Sequence, residues 1–249
     1  MERLFSNVQI LLILPMRQSI KNIMKYKSFI LSLCILNINV TALPEYEARY
    51  KFISDEISIT GTREFKKNSD GYEISFDASN LLASMYFSSK FNIDTNRVVS
   101  KNYDIKIRPK FLKRDQSVFF ENLEKSVSST GQVIWKSYLD PLDFILDPLN
   151  AQIMIRIYLM DDLTEFNLNI IDLENGDFKK YSYKVTATEK CIANKKEYTC
   201  LVLERSRNGS NRKVQYFLAK ELEYMFVKVI DVSPERTNIL ELKEILSLG

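Results

Sequence analysis

Three aspartates in the middle of the chain have the spacing that acid–base or cation chemistry would use. Asp140, Asp143 and Asp147 lie three and four residues apart, which would bring them to one face of a continuous helix. Two of them precede proline, in Asp140-Pro141-Leu142-Asp143 and Asp147-Pro148-Leu149. An aspartate before proline marks a helix start. Its carboxylate accepts from free backbone N–H groups, and proline at the first helical position has no N–H to lose. We therefore read Asp140-Pro141 and Asp147-Pro148 as helix-capping motifs. Asp161-Asp162 reads as a helix-ending turn, and no calcium-loop spacing is present.

The chain has no histidine. That excludes Ser-His-Asp and Cys-His activation, histidine-ligated metals and histidine–glutamate deaminase chemistry. Six glycines in the whole chain support neither a dinucleotide fingerprint nor a phosphate-binding loop. Carboxylate pairs, lysines or a Ser-Lys pair would remain, and none forms a recognisable constellation. The expectation is no catalytic residue, no metal and no cofactor, with a histidine-free hydrolase as the least favoured reading.

Cysteine chemistry depends on compartment, and the first 42 residues speak to it. From Met24 the chain reads Met-Lys-Tyr-Lys, then a largely apolar run from Ser28 to Val40, then Thr41-Ala42 before Leu43-Pro44. A positive region, an apolar core and a small-residue cleavage site in that order form an export signal. Cleavage is expected between Ala42 and Leu43, and residues 1–23 read as an upstream, non-native extension. The apolar run is shorter than the roughly 20 residues of a spanning helix, so no stable transmembrane anchor is expected after cleavage. Leu33 is too large for the position before a lipidated Cys34.

Removing residues 1–42 leaves 30 basic and 31 acidic residues, although the full chain carries 35 and 32. A nucleic-acid binder needs a cationic surplus, and none is expected here. It also leaves two cysteines, Cys191 and Cys200, an even number for an oxidising compartment. A hairpin with a four-residue loop at 194–197 would set 191 opposite 200, close enough for a disulfide.

The elements around these residues are mostly strands. Tyr46, Ala48, Tyr50 and Phe52 alternate with Glu47, Arg49 and Lys51. Tyr72-Ile74-Phe76, Tyr103-Ile105-Ile107 and Phe166-Leu168-Ile170 alternate in the same way. Such runs are half-buried antiparallel strands. Turn signals stand at 68–71, 128–131, 174–177 and 208–211. About ten strands at hairpin spacing predict a mainly β fold: an antiparallel β-barrel or curled half-barrel. A short helical insertion near 140–160 interrupts it, read as two helices at 141–146 and 148–159. Residues 43–249 read as one β-rich domain. Thirteen Tyr and fifteen Phe either line an apolar cavity or form plain core.

Together, several segments resemble a secreted Gram-negative family, domain of unknown function 3108 (DUF3108). They are Tyr46-Glu47-Ala48-Arg49-Tyr50-Lys51, Asp70-Gly71-Tyr72, Asp140-Pro141-Leu142-Asp143 and the run from Tyr183 through Cys200-Leu201-Val202-Leu203-Glu204-Arg205 to Val214-Gln215-Tyr216-Phe217. The chain departs from the family pattern at Phe217, Met225-Phe226 and Lys195-Lys196. The resemblance implies a β-rich periplasmic protein of unassigned activity and carries over no catalytic residue. The expected function is binding of a lipid or other apolar molecule in a concave sheet. The alternative is a structural protein with a solid core that binds an envelope protein.

Overall fold

Alternating side chains make the sheet two-faced, and every apolar face must find cover. In the computed structural model, which describes residues 43–81, 83–108, 113–138 and 144–249, the cover is the sheet's own curvature plus one inner helix. Residues from 43 onward belong to one compact unit. Its first half is a meander of β1 (Tyr46–Ile53), β2 (Ser58–Asn68), β3 (Gly71–Ser79), β4 (Ser84–Asp94), β5 (Arg97–Arg108), β6 (Arg114–Glu121), β7 (Ser126–Gly131) and β8 (Trp135–Tyr138). After β9 (Ile145–Leu146) and helix α1 (Ala151–Met160) come β10 (Glu165–Ile171), β11 (Phe178–Ala193), β12 (Lys196–Ser206), β13 (Lys213–Ala219), β14 (Met225–Val232) and β15 (Thr237–Leu248).

These strands form one sheet of fifteen among the described residues. The two meanders join where β1 pairs antiparallel with β15, from Tyr46 opposite Leu248 to Ile53 opposite Ile239. Only β9, beside β10, is parallel to its neighbour. Register shifts in the β1–β15, β4–β5, β11–β12 and β13–β14 ladders add the local bending that curls a large sheet. Side chains draw its two ends together. Trp135 Nε1 and Gln116 Nε2 both donate to the Leu173 carbonyl, at 3.1 and 2.7 Å. Gly176, in the same turn at φ +76°, lies against the Trp135 ring, where a Cβ would come within 2.5 Å of the indole.

Helix α1 fills part of the concavity. It is apolar almost all round, with Ile153, Ile155 and Leu159 fully buried, the pattern of a core helix rather than a surface one. Tyr158 meets Phe166 edge-on at 4.9 Å, and Arg156 lies over the rings of Tyr46 and Phe65. Asp161 and Asp162 end the helix, Asp162 in the left-handed region at φ +59°. No helix among the described residues is long and apolar enough to cross a membrane.

Four expectations need correction. The sheet has fifteen strands rather than about ten, because strands as short as β8 and β9 carry too few residues to show an alternation. Residues 128–131, read as a turn, lie in β7, and the chain reverses at 122–125 and 132–134 instead. The first of the two expected helices is absent where it can be seen: Ile145-Leu146 is a strand. Asp147 precedes Pro148, and the proline ring disfavours helical backbone at the preceding residue. Residues 1–42, including Cys34, the leader and Ala42, lie outside the described residues, as do Asp140, Pro141 and Asp143; Leu43 is buried.

The fourth correction concerns the cysteine hairpin. Its loop is two residues, Asn194-Lys195, both with positive φ (+50° and +61°), the geometry of a type I′ turn that matches strand twist. Cys191 therefore sits opposite Tyr198, and Cys200 opposite Glu189. The cysteines are diagonal neighbours on one face, with Cα atoms 5.9 Å apart, and a disulfide joins them.

Candidate functional site

The concave face holds a buried polar network and a second group of polar side chains that runs from buried Arg63 to exposed Arg212. The first is built around Asp147. Its Oδ1 accepts from the backbone N–H groups of Leu149 and Asn150, both at 2.8 Å, and its Oδ2 accepts from the Ser89 hydroxyl at 2.7 Å. Asn150 Oδ1 accepts from the Asp147 N–H, and its Nδ2 donates to Ser100 Oγ. Ser100 in turn donates to the Ile145 carbonyl. The Ala151 N–H donates to the Asp147 carbonyl, so Pro148, Leu149 and Asn150 form a turn that leads into α1. The helix starts at Ala151 with Asn150 as its N-cap, and Asp147-Pro148 holds the turn before it rather than capping a helix from 148. This network ties β9 and the start of α1 to β4 and β5. Burial pushes the Asp147 carboxyl up to about 7, and the three hydrogen bonds it accepts limit the rise.

The second group faces a cavity of about 590 Å³ between α1 and the sheet. Phe52, Phe76, Met85, Phe87 and Ile155 supply apolar wall. Five cations line the same space: Arg63, Arg114, Lys179, Arg205 and Arg212. Three are paired with acids of the lining. Arg114 meets Glu174 at 2.7 Å, Lys179 meets Asp172, and Arg212 grips Asp231 through Nε and Nη2. Arg205 instead lies among tyrosines, its guanidinium 4.7 Å from the Tyr181 ring centre. Burial pushes the hydroxyls of its neighbours Tyr183 and Tyr216 up, so both are neutral near pH 7.

Arg63 is different again. It projects inward from β2, only 2% exposed, between the rings of Tyr50 and Phe226 at 5.6 and 5.7 Å. Its Nε and Nη2 have no hydrogen-bond partner among the described residues. Behind it Arg156, also buried, donates from Nε to the Glu223 carbonyl at 2.9 Å and leaves Nη1 and Nη2 unpartnered. Burial lowers the pKa of Arg156, and the nearby Arg63 charge adds to the effect.

The arrangement can hold an apolar body and meet a polar end with cations. Among the described residues no three His, Cys, Asp or Glu side chains are grouped to hold a metal ion. Of the site residues read from sequence that are described, Asp147 and Pro148 lie on this interior. Pro148 lines the cavity, whereas Cys191 and Cys200 belong to the β11–β12 hairpin. Sequence reasoning missed Arg63 and Arg156, although both leave a trace. In β2, Ile59, Gly61, Arg63 and Phe65 share the inward alternation, so an arginine stands in a core position. In α1, Arg156 is the one charge in an otherwise apolar run.

No protein-family model matches the chain, and no curated protein matches it in sequence. Among solved structures it is similar to a beta-barrel-like protein of domain of unknown function DUF1849 from Brucella abortus. The TM-score is 0.55 at 10% identity, over 82% of this chain and 97% of that one. At that identity the likeness is one of fold. The chain is a mainly β, barrel-like protein whose sheet curls around one inner helix among the described residues.

Proposed function

We propose that this protein is an exported binding protein of the bacterial envelope that takes an apolar molecule, such as a lipid chain, into its curled sheet and catalyses no reaction. The cavity carries the reading. About 590 Å³ of largely apolar-walled space lies within the roughly 300–1,000 Å³ typical of small-molecule sites. Export to the periplasm is supported by the leader pattern at 24–42, by the resemblance to DUF3108, and by a disulfide, a bond that persists in oxidising compartments.

Native mass spectrometry of the purified protein, before and after solvent extraction, tests the reading together with titration by an uncharged apolar fluorophore. A stoichiometric lipid adduct, or saturable binding of the fluorophore to the extracted protein, is expected. Neither adduct nor binding would end the proposal. One observation favours the alternative of a protein partner. Ile134, Tyr138 and Phe144 stand exposed beside the edge strands β8 and β9, and unpaired sheet edges accept further strands. A single stoichiometric envelope protein, retained after lipid is stripped, would favour that reading.

A further inference from the structure

We infer that the ligand of the cavity is an acidic amphiphile, an oxyanion head on an apolar chain, and that Arg63 receives the head. The inference rests on the binding reading above and specifies what is bound. Three of the five cations lining the cavity are matched by three acids, Asp172, Glu174 and Asp231, so Arg63 and Arg205 are the surplus. A buried charge without a counter-ion is costly, and a native protein retains one where something compensates it. Arg205 has its tyrosines. Arg63 has only ring faces, and Arg156 behind it adds a second buried positive charge rather than a compensating negative one.

The unpartnered atoms also have the right geometry. Nε and Nη2 form one edge of the planar guanidinium, the fork that grips a carboxylate or phosphate through two parallel hydrogen bonds. Turning that edge to the cavity displaces contacts with Tyr50 and Phe226, and neither Nε nor Nη2 has a hydrogen bond among the described residues to break. An aromatic and aliphatic wall continues from Arg63 through Phe52, Phe76 and Phe87, so a chain attached to the head would lie on apolar surface. A small hydrophilic anion would leave that wall uncovered.

Binding of four probes to solvent-extracted full-length protein, each below its micelle concentration at pH 7.5, separates the outcomes. The probes are dodecanoate, dodecyl phosphate, dodecanol and inorganic phosphate. One or both acidic chains should bind about 10- to 100-fold more tightly than the alcohol, the span of one charge-assisted hydrogen bond. Which acid leads tells carboxylate from phosphate. Inorganic phosphate should bind far more weakly than either. Arg63→Gln should remove the preference for acid over alcohol while dodecanol affinity persists, and Arg63→Lys should keep part of the preference. Equal affinity for acids and alcohol in the unaltered protein, a comparison that needs no variant, overturns the inference and leaves the binding reading intact. So does a preference that survives in a folded Arg63→Gln protein. Failure of all three chains to bind would sink both.

Discussion

Asp147 and Arg63 are both buried on the concave face, and their surroundings treat them in opposite ways. Asp147 accepts three hydrogen bonds, and its own N–H is held by Asn150. Arg63 has aromatic faces on two sides and no partner for Nε or Nη2. A satisfied buried group stabilises the arrangement that satisfies it, whereas an unsatisfied one costs stability in the same low-dielectric interior. The contrast separates the part of the interior that serves folding from the part left for a ligand. Asp147 belongs to the first, and Arg63 to the second.

The largest effect should follow Asp147→Ala. It strands the N–H groups of Leu149 and Asn150 and the Ser89 hydroxyl, all in the buried network. Each stranded buried donor costs about 1–3 kcal/mol, so three of them predict a loss of at least about 3 kcal/mol in urea unfolding. A loss under about 1 kcal/mol would mean that the network is ornamental and would break the comparison.

A gentler change isolates the charge. The folded Asp147 carboxyl titrates near 7, above its ordinary value of 3.8. Between those values the folded state holds a proton that the unfolded chain has released, so the unfolded state binds fewer protons and stability falls as pH rises. The contribution is fully present below about pH 4 and lost by about pH 7. Asp147→Asn keeps an acceptor for the two backbone N–H groups and presents an amide to Ser89, whose oxygen can accept. The difference in unfolding free energy between wild type and Asp147→Asn should therefore drift against the wild type from pH 4 to 7. A difference independent of pH would show that the three donors hold the carboxylate ionised throughout.

Much of this interior was legible in the sequence, and the rest was hidden for specific reasons. Alternation in Tyr46–Phe52 and Phe166–Ile170 marks the inward faces directly, because strand side chains have period two. The Asp147-Pro148 pair marks the approach to a helix but not its cap: the carboxylate bonds within three residues of itself and holds the turn, while the helix N-cap is Asn150. The cysteine pair was readable, but its register was not: that depends on Asn194 and Lys195 both taking positive φ, which neither residue type dictates. Arg63 could be seen as an arginine in a core position of β2. Its lack of a partner could not, because that is a property of Tyr50, Phe226 and Arg156, contributed from β1, β14 and α1.

Arg156 lies between the two extremes, with one hydrogen bond made and two terminal nitrogens unpartnered. Arg156→Met removes the bond to the Glu223 carbonyl and the cation–π contacts with Tyr46 and Phe65, but it also removes a buried charge. These terms oppose one another, and a net loss of about 1 kcal/mol is expected, smaller than for Asp147. A loss as large as that of Asp147→Ala would place Arg156 with the folding network.

Arg63→Met should have the smallest effect on stability, and of the opposite sign. Methionine keeps an unbranched apolar stem against Tyr50 and Phe226, and Nε and Nη2 of Arg63 have no hydrogen-bond partner among the described residues to lose. What is lost is cation–π attraction of about 0.5–2 kcal/mol. What is gained is relief of an uncompensated buried charge and of its repulsion with Arg156. Ligand-free protein should be unchanged or up to about 1 kcal/mol more stable in urea unfolding. Wild type saturated with an acidic amphiphile should gain stability that the variant does not, since a ligand of the folded state stabilises by mass action. A destabilised ligand-free variant would mean that Arg63 already serves the fold as Asp147 does. The distinction between satisfied structure and waiting site would then fail at the residue that defines it.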